Sequence, residues 1–212
     1  MTQAKAKFTT FEEYLSYSDE IDMEGRYELI NGELAELPPE SRLNSTIAVR
    51  ILLALVAAGI PIELVHPGKC EVQVPLLRPN DAANRFPDLV VLRQEHLDLT
   101  KRRLTITLDM PPPRLIAEVV SPGNTNRDRD YICNRDYIHK RAQYAAISVP
   151  EYWLIDPIAQ TVTVLSLEGD TYRDVGVFGN DDAIRAPRRQ ANASIELAEL
   201  TLKAGQLFDP QL

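Results

Sequence analysis

Apolar positions along the chain recur with two periods, one near 3.6 residues and one near 2, and segments of each kind follow one another. Phe11, Tyr14 and Leu15 fall at helical spacing behind Thr10-Phe11-Glu12-Glu13, whose hydroxyl-then-Glu order is that of a capping box. A helix is predicted over about Thr10 to Asp19. From Arg26 to Leu37 two short alternating runs are joined by Asn31-Gly32, the strongest local signal for a two-residue hairpin, and Pro38-Pro39 closes the unit. Between Ser41 and Ala58, Leu43, Ile47, Ile51, Leu52, Leu55 and Val56 trace a helical stripe that Gly59 and Pro61 end.

The rhythm then turns to strands, predicted over Glu71 to Leu76, Asp88 to Leu92, Leu115 to Val120, Tyr152 to Ile155, Thr161 to Leu167 and Thr171 to Val177. A further helix, rich in Tyr and Arg, belongs between the third and fourth of these and ends near Ile147. This mixture predicts an α/β or α+β architecture with helices packed on a sheet. The helix contains a small duplication, Arg129-Asp130-Tyr131-Ile132 followed by Arg135-Asp136-Tyr137-Ile138. Six extra residues turn an α-helix by about 600° and would rotate half of it off its packing face. The extra copy is therefore expected near the start of the helix, with Asn134 available as a cap.

Composition narrows the class. At 212 residues with 44% hydrophobic and 25% charged residues, the chain has the usage of a globular domain and can bury roughly 70% of its unfolded surface. One domain, 1–212, with its core over about 8–202, is expected. No apolar run reaches membrane-spanning length and none near the start suits a secretion signal, so a cytoplasmic protein with no membrane partner is expected. Cys70 and Cys133 lack zinc-ligand spacing and read as reduced thiols. The net charge of −8 argues against a surface that attracts nucleic acid all over, so any DNA contact must be local. Lys101-Arg102-Arg103, Arg127 to Arg141 and Arg185 to Arg189 are the densest basic stretches. No phosphate-loop, dinucleotide or serine-hydrolase signature occurs, and His66, His96 and His139 have no mutual ligand spacing.

Two carboxylates stand out. Pro87-Asp88-Leu89-Val90-Val91-Leu92 sets Asp88 at the mouth of an apolar strand. In Leu115-Ile116-Ala117-Glu118-Val119-Val120, Glu118 interrupts a run typical of strands buried on both faces. A carboxylate there must be paired, neutralised or metal-bound, because leaving it bare costs several kcal/mol. An ion pair with an arginine is one reading. A divalent-metal site is another: two acids at adjacent strand ends supply hard oxygens suited to Mg²⁺. An acid and base pair of glycosidase type is a third. Tyr152, Trp153 and Leu154 read as core rather than as a platform for stacking bases.

Four segments standing in this order carry a resemblance: Tyr27 to Leu34, Pro87 to Val91, Ala117-Glu118-Val119-Val120-Ser121-Pro122, and Lys140 through Tyr144 to the Pro150-to-Pro157 stretch. Over about Phe8 to Leu202 the chain resembles the Uma-type restriction-endonuclease family of the PD-(D/E)XK nuclease superfamily. The resemblance implies a restriction-endonuclease-like mixed β-sheet flanked by helices, with an extra N-terminal helix and hairpin and extra C-terminal strands. It implies Asp88 and Glu118 as metal acids for Mg²⁺, with Mn²⁺ as an alternative, and Glu28 as an additional catalytic acid. It implies a DNA substrate, and cutting both strands would suit a homodimer. The motif's lysine, two residues beyond Glu118, is replaced by Val120, and the resemblance points to Lys140 on the following helix instead. A nuclease-like binding or assembly module without catalysis is the alternative, favoured by Val120 and the negative charge.

Overall fold

The computed structural model describes residues 7–20, 24–121, 135–185 and 202–209. Helix α1 (Phe11–Glu20) begins where the capping signal stands: Thr10 Oγ1 accepts from the Glu13 amide at 3.2 Å. The Glu13 carboxylate reaches back past the cap and accepts from the Thr9 amide at 2.7 Å, fixing the chain that enters the helix. Strands β1 (Tyr27–Ile30) and β2 (Glu33–Glu36) form the expected hairpin, with Asn31 at φ 52° and Gly32 at φ 80°. Positive φ at both turn residues matches the right-handed twist of the strands. Position 32 also requires glycine sterically, because a Cβ there would lie 2.6 Å from the Phe8 carbonyl oxygen.

Helix α2 (Arg42–Ala57) is capped by Ser41, whose hydroxyl accepts from the Asn44 amide at 3.1 Å. Its buried stripe is Asn44, Ile47, Ala48, Ile51 and Leu55. Leu43, expected on that stripe, is exposed, and Asn44 takes the buried place instead because its amide has partners at the sheet end.

Six strands make the main sheet. With β3 (Val65–Pro67), β6 (Leu89–Val91), β8 (Leu115–Val119), β9 (Glu151–Asp156), β10 (Thr161–Glu168) and β11 (Thr171–Gly179), the spatial order is β11-β10-β9-β8-β6-β3. Within this sheet, among the described residues, β8 and β9 are the parallel pair, and the chain between them carries helix α4 (Arg141–Ala146), as a parallel pair requires a crossover. A second sheet of β4 (Glu71–Gln73), β5 (Asn84–Arg85) and β7 (Thr105–Ile106) has the order β5-β4-β7, and the short helix α3 (His96–Leu99) precedes β7. The strand expected to run to Leu76 ends at Gln73, where Pro75 removes a donor from the ladder.

Every residue of β8 is buried, Glu118 included, in keeping with the apolar residues around it and its place between β6 and β9. Tyr152 and Trp153 are fully buried in the core. The second copy of the duplicated sequence opens a π-helical turn, Arg135–Lys140, that runs into α4. Such a wide turn absorbs surplus length while the helix beyond it keeps its packing face. The first copy, Cys133 and the proposed cap Asn134 lie outside the described residues, as do Arg127, Arg129, Arg188 and Arg189 of the other two basic stretches. In the Lys101-Arg102-Arg103 stretch, Arg102 pairs with Asp19 and Arg103 with Glu71, so it is occupied by the protein's own acids. Among the described residues no helix is long and apolar enough to cross a membrane.

Candidate active site

Strands β6 and β8 pair antiparallel with Leu89 opposite Ala117 at the end of the ladder, and extending that register by one residue beyond β6 puts Asp88 across from Glu118. Directly opposed residues share a face of the sheet. The two carboxylates are therefore cross-strand neighbours at the end of the pair, both nearly inaccessible, at 9% and 2% exposure. Asp88 Oδ2 accepts from the Val119 amide at 2.7 Å, which locks the loop before β6 onto the strand that carries Glu118.

Burial pushes the Asp88 carboxyl up to about 8, and the nearby charge of Glu118 pushes in the same direction, as does Glu40. Lys140 and the Val119 amide pull the other way without cancelling the rise. Near neutral pH, Asp88 thus retains its proton when no cation is present. This is the signature of like charges gathered where water is excluded.

Helix α4 and the turn before it complete the site. Lys140 Nζ donates to Glu118 Oε2 at 2.8 Å and Tyr144 Oη donates to Glu118 Oε1 at 2.6 Å. Positions four apart lie on one helical face, and here that face meets Glu118. The ammonium stands next to the acid pair although Val120, two residues past Glu118, supplies no charge. On the far side of β8, Asn44 Nδ2 reaches the Val119 carbonyl at 3.4 Å and the Ser121 hydroxyl at 2.9 Å, tying the start of α2 to the strand end.

Glu28 lies in an adjoining buried cluster. Both its oxygens accept from Arg85 Nη1 at 3.1 Å, and Arg85 in turn donates to Gln143 Oε1 from Nε at 3.0 Å and from Nη2 at 2.8 Å. Gln143 spends its own amide on the Pro75 and Ala82 carbonyls. Among the described residues no three His, Cys, Asp or Glu side chains converge as metal ligands. Asp88 and Glu118 form a pair, and Glu28 neutralises Arg85. Glu28→Gln is expected to cost about 3 kcal/mol, because a buried guanidinium then loses its counter-charge. A urea unfolding midpoint equal to wild type would show that Arg85 is neutralised by other means.

The chemistry of the donor set fits Mg²⁺. It offers hard carboxylate oxygens from one or two residues, and Mg²⁺ commonly keeps several waters and completes its shell with substrate phosphate oxygens. Sequence reasoning missed the Tyr144 hydroxyl, the Arg85 and Gln143 link and the influence of Glu40. Of these, only Tyr144 had a local signal, its four-residue spacing from Lys140.

A mixed sheet flanked by helices, with opposed acids at the β6 and β8 ends and a lysine delivered from the crossover helix, defines a restriction-endonuclease-like fold. The family model Uma2, described as "Putative restriction endonuclease", matches residues 11–198, and the chain belongs to that family. The structure is similar to a crystal structure of "a putative nuclease belonging to DUF820" from Anabaena variabilis. The TM-score is 0.57 over 90% of this chain and 96% of the other, at 17% identity, a likeness that bears on the fold. No curated protein sequence matches the chain.

Proposed function

We propose that the protein is a cytoplasmic, single-domain, Mg²⁺-dependent endonuclease that hydrolyses DNA phosphodiester bonds. The observation that supports this most is Asp88 opposite Glu118 with the Lys140 ammonium 2.8 Å from Glu118. Asp88 and Glu118 would hold the cation, Mg²⁺ or Mn²⁺. When bound there it would supply an activated water and neutralise charge on the phosphate. Asp88 must release its proton for this role. Lys140, with three donors on a flexible stem, orients the attacking water or meets a phosphate oxygen. Glu28 assists from the adjoining layer by fixing Arg85 and Gln143, and through them the helix that carries Lys140. The acidic surface confines DNA contact to the neighbourhood of the site, and a homodimer would bring two sites to the two strands.

A non-catalytic module is the second reading, favoured by the Lys140 and Glu118 pair, which a purely structural ion bridge would also produce. The two readings separate on Lys140→Met, which keeps the stem and removes the charge. The nuclease reading expects the rate of Mg²⁺-dependent DNA cleavage to fall by at least about 100-fold, the scale of losing one transition-state donor. An unchanged rate would remove Lys140 from catalysis.

A further inference from the structure

Among the described residues, Glu118 receives hydrogen bonds from two donors of different character. Lys140 sits on a long flexible stem at the end of a π-helical turn, whereas Tyr144 carries one hydroxyl on a rigid ring. The Tyr144 ring is fully buried and packs edge-on against Tyr152, with centroids 5.3 Å apart at 67°. The preceding residue, Gln143, is also fully buried and is anchored by four hydrogen bonds to Arg85, Pro75 and Ala82. The Tyr144 oxygen therefore has little freedom to move, and the carboxylate it bonds is held as firmly.

We infer that Tyr144 is the positioning residue of this site, fixing the Glu118 carboxylate toward Asp88 so that a divalent cation finds a preformed ligand pair while Lys140 is left to serve the substrate. The inference rests on the metal site proposed above. Partners one shell behind a ligand orient it, and their removal typically weakens metal affinity or activity about 10–100-fold. Catalysis by Lys140 requires that its ammonium can leave Glu118 for a phosphate or water. That is possible without loss of the site only if another donor keeps the carboxylate in place. A tyrosine one helical turn away meets that need.

The test compares Tyr144→Phe with Tyr172→Phe. Tyr172 packs on the same aromatic cluster and donates to the Val149 carbonyl at 2.7 Å, so its variant also deletes one buried hydroxyl, but away from the acids. The readouts are Mn²⁺ affinity by calorimetry and the steady-state constants for DNA cleavage. Tyr144→Phe is expected to bind Mn²⁺ at least about tenfold more weakly and to lose kcat by a similar factor, with KM for DNA within about twofold of wild type. Tyr172→Phe is expected to keep wild-type Mn²⁺ affinity even where it lowers the melting temperature. Wild-type affinity in Tyr144→Phe, or an equal loss in both variants, would overturn the inference and leave a purely structural hydroxyl. A wild type that binds Mn²⁺ without cutting DNA would sink the nuclease reading, yet the affinity comparison would still decide the role of Tyr144. A wild type that binds no Mn²⁺ would overturn both.

Discussion

Replacing Glu118 with alanine is expected to destabilise the protein by about 3–5 kcal/mol and to abolish metal binding and cleavage together. Glu118 is the acceptor for a buried ammonium and a buried phenol, and removing one partner of a buried ion pair leaves the other charge in a poorly solvated place. The cost of the lost Tyr144 bond adds to this. A fall of that size is a large share of a domain's total stability. Urea unfolding reads it directly. Glu118→Gln separates the two effects, because the amide keeps an acceptor for Tyr144 while losing the charge. It should recover part of the stability and none of the metal binding. Equal midpoints for wild type and Glu118→Ala would mean that the observed pair contributes nothing to the fold.

Replacing Asp88 with asparagine is expected to act in the opposite direction on stability. Burial, and then the charge of Glu118, push the folded-state Asp88 carboxyl up to about 8 from its ordinary 3.8. Between those values the unfolded chain has released a proton that the folded chain retains. The contribution of this group is therefore intact below about pH 4 and is lost as pH rises through about 8. In metal-free buffer Asp88→Asn removes that loss, so the variant should be more stable than wild type at pH 8, by an amount on the order of a few kcal/mol, and nearly equal to it at pH 4. Its amide oxygen can still accept from Val119. Mg²⁺ should reverse the order, because the wild type gains stability from a cation bound only when folded and the variant does not. That gain must grow between pH 6 and pH 9, since the cation competes with the Asp88 proton. A wild-type melting temperature that rises equally with Mg²⁺ at both pH values would show that the cation binds elsewhere.

What the chain reveals of itself depends on how local the cause is. The hairpin is legible because Asn31-Gly32 alone specifies positive φ at two positions, and α2 is legible because a cap, a stripe and a Gly-Pro stop agree. Glu118 is conspicuous because a charge inside a doubly buried strand contradicts its surroundings. The strands β3, β5 and β7 span only two or three residues, too few for any period to register, and they exist through their neighbours. Leu43 misled because periodicity counts hydrophobicity and ignores a partner, which Asn44 found at the end of β8. The same limit hid the ties of Glu28: its partner Arg85 is distant in sequence, and Gln143, which joins the pair to α4, is farther still. Lys140 was locatable by its order among motifs, but its contact with Glu118 is a property of the crossover, which brings α4 back over β8.

If Asp88 and Glu118 hold a divalent cation as proposed, DNA cleavage depends on the metal and on both acids. The most direct measurement is cleavage of labelled single- and double-stranded DNA across a Mg²⁺ titration, with wild type and Asp88→Asn purified in parallel and their folding checked by melting temperature. Cleavage by the wild type is expected to require Mg²⁺ or Mn²⁺ and to stop in EDTA, with none above background by a folded Asp88→Asn. Cleavage of equal rate in both proteins, or none by a wild type whose melting temperature nevertheless rises with Mg²⁺, would contradict that proposal.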